Sequence, residues 1–119
     1  MKNKHIIKKN FEFQEIIGLQ QKVMNSSFVI CSRPADQAYL RYGISVGKKL
    51  AKAHQRNRVK RQIRVIMYDF LKKEEIPHKD IIVMVRPNYL KNSFQVNQQL
   101  LTQLLHKLGK RYNQKSIGA

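Results

Sequence analysis

The sequence predicts a single α+β domain with the element order αβββαβα. Three observations carry that expectation. From Val59 onward the apolar residues fall at Val59, Ile63, Ile66, Met67 and Phe70, one face of a helix at 3.6-residue periodicity. Leu40, Tyr42, Ile44 and Val46 alternate with Arg41, Gly43 and Ser45, the period of two of a half-buried strand. Ile81 to Val85 is an uninterrupted apolar run between Asp80 and Arg86-Pro87, which fits an interior strand covered on both faces. Strand, long helix and interior strand make a βαβ unit, whose crossover general physics favours as right-handed. A chain of 119 residues has room for one core, so residues 1–119 are expected to form one domain.

In chain order, residues 1–9 carry little apolar surface and read as a loose basic arm that a partner would order. Asn10 offers an N-cap oxygen, with Glu12 and Glu15 near the positive end of the helix dipole. Phe13, Ile16 and Ile17 place a narrow stripe inward, up to a stop at Gly18 or at Gln20-Gln21. Val23 to Cys31 reads as strand, short at its start and strongest from Phe28 to Cys31, and Arg33-Pro34-Ala35-Asp36 as a turn. On the next strand the small Gly43 and Ser45 either admit a backbone or a nucleotide closely or answer a packing need, and Gly47 ends it. Lys48, Lys49 and Lys52 then lead into a helix from about Ala53 to Lys73, stopped by Glu74-Glu75 and Pro77. Beyond the interior strand, Asn92 and Gln95 suit a capping box. Asn97, Leu100, Leu101, Leu104, Leu105 and Leu108 give a leucine-faced helix ended by Gly109, with a flexible basic tail over residues 112–119.

Charge points to the partner. The formal net charge is +17, from 24 Lys and Arg against 7 Asp and Glu, spread along the chain. Lys48 to Arg64 alone holds eight Lys or Arg inside an acid-free zone from Gln37 to Tyr68. At about 100° per residue, Asn57, Lys60, Arg61 and Arg64 project away from the apolar face, Arg56 sits at its edge and Arg58 turns partly toward the sheet. A merely solvated face would mix signs for i,i+4 pairs, whereas Arg56, Lys60 and Arg64 repel at that spacing. An external polyanion relieves such repulsion, and nucleic acid is the expected one. A membrane surface is the competitor, but no apolar run approaches the roughly 20 residues of a spanning helix and the opening lacks a signal peptide's apolar centre. The expectation is a cytoplasmic protein with no membrane partner. Cys31, the one cysteine, lies in an apolar run and is expected as a small buried hydrophobe.

A longer pattern is superimposed on the charge. Gly43-Ile44-Ser45-Val46, then Lys48-Lys49, then Arg56-Asn57-Arg58-Val59-Lys60-Arg61 and Ile63-Arg64 resemble the signature of the bacterial ribonuclease P protein subunit, with weaker likeness over residues 5 to 112, including Lys8-Lys9-Asn10 and Phe13. The resemblance implies a sandwich with a mixed central sheet, ribosomal protein S5 domain 2-like, and a left-handed βαβ crossover. It implies binding of the catalytic RNA of ribonuclease P through Lys48, Lys49, Lys52, Arg56, Asn57, Arg58, Lys60, Arg61 and Arg64. It also implies that the 5′ leader of precursor tRNA enters a cleft between the first helix and the sheet. On this chain the cleft residues are Phe13, Ile17, Phe28, Ile30 and Cys31, with Arg56, Lys60 and Arg64 as a charged edge. Where the family has a second aromatic this chain has Ile17, and where it has a tyrosine, Cys31.

No catalytic constellation is visible in the chain itself. Glu12, Glu15, Asp36, Asp69, Glu74, Glu75 and Asp80 form no DxD or ExxE pair for a two-metal centre, and His5, His54, His78 and His106 have no ligand spacing. The resemblance implies the same division of labour: no cofactor in the protein, with catalytic Mg²⁺ held by the partner RNA. A structural ribosomal protein is the competing function, being equally small and basic. A DNA regulator is the third, although no helix-turn-helix spacing supports DNA as a partner.

Overall fold

The computed structural model describes residues 4–74 and 76–117, with 110–117 as backbone alone. Helix α1 (Asn10–Gly18) is followed by strands β1 (Lys22–Met24), β2 (Phe28–Pro34) and β3 (Arg41–Ser45), helix α2 (Ala53–Lys73), strand β4 (Lys79–Val85), a 3-10 turn (Pro87–Lys91) and helix α3 (Phe94–Ile117). The expected αβββαβα order is present. The sheet runs β1-β2-β4-β3, antiparallel except for the parallel β3–β4 pair, and is therefore mixed. The apolar run Ile81 to Val85 lies on β4, between β2 and β3; Ile81 to Val83 are fully buried and Met84 and Val85 are half-buried.

α2 and α3 pack on one face of the sheet. Phe28, Ile30, Leu40, Tyr42, Ile81 and Val83 meet all five residues of the α2 stripe, with Leu101, Leu104, Leu105 and Leu108 from α3. α1 packs on the other face, where Ile16 joins Ile7, Cys31 and Ile82, with Phe13 and Ile17 at the margin.

Several local expectations are corrected. Asn10 is already helical; the N-cap is Lys9, which makes no side-chain cap bond. The stretch from Val23 to Cys31 is two strands, because Asn25 folds it into a hairpin: its Oδ1 accepts N–H bonds from Ser27 at 3.1 Å and Phe28 at 3.0 Å. Arg33 and Pro34 lie on β2 instead of in a turn. At α3 the capping residue is Ser93, whose Oγ accepts the Val96 N–H at 3.3 Å, while Asn92 donates to Ser27 Oγ at 3.1 Å. Gly109 does not end α3, which runs to Ile117. A terminating glycine needs the left-handed conformation, and none of the described glycines has positive φ.

The arm is corrected too. Ile7 N–H donates to Tyr42 O at 2.8 Å and Tyr42 N–H to His5 O at 2.6 Å, with Ile6 bridged in parallel to Tyr42. His5 to Ile7 thus pairs with the outer edge of β3, which would otherwise present unpaired backbone groups. Ile7 is buried on the α1 face and Ile6 packs against the α2 face. Met1 to Asn3 of the arm, Glu75 and the last residues of the tail, 118–119, lie outside the described residues.

Candidate nucleic-acid interface

β3 ends at Ser45, and a turn closed by the Leu50 N–H bond to Gly47 O at 3.0 Å carries Lys48 and Lys49 into solvent. Gln55 Oε1 accepts the Lys52 N–H at 3.2 Å and Arg56 Nη1 donates to Ala51 O at 2.9 Å, so side chains of the first helical turn hold the connection against α2. Lys52, Asn57, Arg58, Arg61 and Arg64 are exposed; Arg56 and Lys60 are half-buried. Among the described residues none of these cations is ion-paired with a carboxylate, and the first turn of α2 has no acid. The positive end of the helix dipole adds to their field. Arg58 faces solvent instead of packing on the sheet. Its charge reaches Tyr89, whose hydroxyl burial pushes up to about 12 and which donates to Gln62 Oε1 at 2.6 Å.

Three of the acids are engaged elsewhere. Glu12, Glu15 and Asp80, scattered in sequence, converge on two arginines. Arg33 pairs with Glu12 at 3.3 Å, Glu15 at 2.7 Å and Asp80 at 3.1 Å; Arg41 pairs with Glu12 at 2.9 Å and Asp80 at 2.7 Å. Burial alone would raise the Asp80 carboxyl, but hydrogen bonds from Arg41, Gln37 and Arg33 outweigh it and hold the group below its ordinary value. This network ties α1 to the sheet. Sequence reasoning missed it, because its members are far apart in the chain and each reads singly as a helix-start, turn or strand-edge charge. Among the described residues no three His, Cys, Asp or Glu side chains are grouped to hold a metal ion, and no helix is long and apolar enough to cross a membrane.

The face under α1 is ordered in rows across the strands. Strand register aligns Lys22, Cys31, Ile82 and Gly43 in one row, and Met24, Val29, Met84 and Ser45 in the next. α1 covers the first row: Ile16 is fully buried, and Phe13 lies so close to Gly43 that a Cβ there would sit 2.9 Å from Phe13 Cε1 and 3.0 Å from Ile82 Cδ1. The close approach at Gly43 is therefore a packing one. The second row is left partly open, with Met24 46 % exposed and Val29, Met84 and Ser45 half-buried beside Ile17.

Of the expected cleft residues, Phe13, Ile17 and Cys31 are thus brought together. Phe28 and Ile30 are not: both are fully buried on the α2 face, because successive strand residues point to opposite sides. Val29, Met84 and Met24 take their place, and counting β2 by twos from Cys31 would have found the first of these. Cys31 is itself covered, 3 % exposed, with its thiol pushed up by burial and 3.9 Å from Met84 Sδ. Arg64 is also misplaced by the expectation. It borders Tyr42 on the α2 side of the sheet and cannot edge a cleft under α1. Lys48 and Lys49 follow Ser45, the β3 member of that row, in the chain.

Known proteins resemble this chain in sequence and in fold. A family model, ribonuclease P, matches residues 1–109. The ribonuclease P protein component of Mesoplasma florum is 51 % identical over 105 residues, 88 % of this chain and 96 % of that one. The structure of the Staphylococcus aureus RNase P protein superposes with a TM-score of 0.76 at 35 % identity, covering 87 % of this chain and 94 % of that one. The RNase P protein from Thermotoga maritima gives 0.76 at 27 % identity, with 85 % and 94 % covered. A mixed four-stranded sheet with α1 on one face and a basic α2 on the other, matched along nearly the whole chain by proteins of one name, places this chain in the ribonuclease P protein component family.

Proposed function

We propose that this protein binds the catalytic RNA of ribonuclease P through α2 and its preceding turn, and binds the single-stranded 5′ leader of precursor tRNA on the open row under α1. The carrying observation is the set of cations from Lys48 to Arg64 left without carboxylate partners among the described residues, while the acids of α1 and β4 are consumed at Arg33 and Arg41. Such a face gains most from phosphates. A leader lying across Met24, Val29, Met84 and Ser45 would set its bases on apolar groups and bring its backbone to Lys48 and Lys49. Phe13 supplies the aromatic surface. Catalysis falls to the RNA and its Mg²⁺, and the protein contributes binding that favours precursor over mature tRNA. The test is precursor-tRNA cleavage by a bacterial catalytic RNA at low Mg²⁺, with and without this chain. Restored cleavage with a leader-bearing substrate is expected; no stimulation at any protein concentration would remove the proposal.

A further inference from the structure

We propose that a groove between α2 and the His5–Ile6 segment holds one unstacked nucleotide of the catalytic RNA, its base on Tyr68 and its flanking phosphates on Arg64 and Lys72. This rests on the assignment of α2 to the RNA, and it adds a base-binding site to what is otherwise a phosphate-binding face. Steps of four residues along α2 give Arg56, Lys60 and Arg64 and then Tyr68 and Lys72. The cationic stripe therefore runs into an aromatic one. There the surface changes shape, opening into a groove of about 540 Å³ floored by Tyr42, Val65 and Leu71 and bordered by Arg64, Tyr68 and Lys72, with no carboxylate among the described residues of its lining. That volume falls within the roughly 300–1,000 Å³ of small-ligand sites.

Tyr68 is 61 % exposed and Val65 50 %, so neither ring nor isopropyl group is used by the core. Lys72 Nζ stands 4.3 Å from the Tyr68 ring centroid, a cation–π contact that steadies the ring and places a positive charge beside it. An apolar floor, one exposed aromatic ring and two flanking cations form the composition that takes an unstacked base with its backbone. A duplex presents its phosphates outward and would leave the floor empty. An acidic peptide would satisfy the cations but not the ring.

The experiment measures affinity of the full chain for a bacterial ribonuclease P RNA across a salt series, with thermal melts to show that each variant is folded. Tyr68→Ala is expected to weaken binding by about 5- to 20-fold, the lower part of the range for stacking one base. Its salt slope should stay unchanged, because the ring neutralises no phosphate. Tyr68→Phe should bind within about twofold of the parent, since the ring is retained. Arg64→Ala should lose both affinity and about one unit of slope. Tyr68→Ala binding like the parent, equal losses in the Ala and Phe variants, or an effect confined to precursor tRNA would each overturn the assignment. Lys60→Ala separates the levels of failure: if it weakens binding while Tyr68→Ala does not, the groove alone is wrong, and if both are silent α2 is not the RNA face.

Discussion

Arg41 and Asp80, paired in register on the parallel strands β3 and β4, form a two-pronged contact: Arg41 Nε donates to Asp80 Oδ1 at 2.9 Å and Nη2 to Oδ2 at 2.7 Å. Asp80 is 1 % exposed, so its charge is viable only with these partners. Asp80→Asn leaves Arg33 and Arg41 short of a carboxylate beneath α1 and is expected to cost about 3–5 kcal/mol, as for other broken buried pairs. Urea unfolding at neutral pH checks this.

The same carboxyl gives a pH dependence of defined sign. Its folded-state value lies below the ordinary 3.8, so its stabilisation is fully present above that value and is lost as pH falls through the lower folded value. Unfolding midpoints in urea should therefore fall between about pH 5 and pH 2. In Asp80→Asn the fall should be shallower; an equal fall would locate the acid sensitivity in other carboxylates.

Gly43→Ala tests the packing against Phe13. An added methyl would meet Phe13 Cε1 at 2.9 Å and Ile82 Cδ1 at 3.0 Å, and overpacking of this kind costs about 1–3 kcal/mol. The ring must move, so preference for precursor over mature tRNA should drop with stability. Phe13→Leu in the same chain should recover stability without recovering that preference.

Ile17 and Cys31 differ in what they can accept. Ile17 is half-exposed at the margin of the open row, and Ile17→Phe should strengthen binding of leader-bearing tRNA by about fivefold or more, the low end for a new stacking surface. Cys31→Tyr must instead force a large ring into a site bounded by Ile16, Ile82 and Met84, and about 1–3 kcal/mol of destabilisation is expected. Paired affinities for precursor and mature tRNA read the first variant, and a thermal melt reads the second.

Cations on α2 that have no carboxylate partner among the described residues also make the folded state a receptor for small anions. Sulfate or phosphate should raise the melting temperature more than chloride at matched ionic strength, because bound anions stabilise only the folded form. Lys60→Ala with Arg61→Ala should narrow the gap and, in binding to the catalytic RNA, lower the salt slope by about one unit for each phosphate left without its cation.

The elements legible in the sequence were those whose pattern is local. Every member of the α2 stripe, Val59 to Phe70, is buried as its spacing requires, and the unbroken Ile81 to Val85 run lies in the middle of the sheet. What escaped depends on pairings across the chain. Arg41 and Asp80 are 39 residues apart and Arg33 and Asp80 are 47 apart, so no window brings them together. Phe28 and Ile30 were legible as buried but not as facing α2, since the unbroken apolar run hides which side of the strand is which. Ile6 and Ile7, two apolar residues in a basic arm, were enough to dock it because a bare strand edge was waiting.

That docked segment constrains the order in which the molecule can be built. Residues 5–7 leave the ribosome before the strand they pair with, and β3 finds its own neighbour β4 only after all of α2 has been made. A nascent chain ending before Val85 has no complete interior strand to join β2 to β3, so the sheet cannot close during synthesis of its first two-thirds. Pairings of such long sequence separation form slowly. Folding is consequently a late event, and the early segment waits with its two isoleucines uncovered, at the stage when nascent chains are most open to association with RNA or with one another.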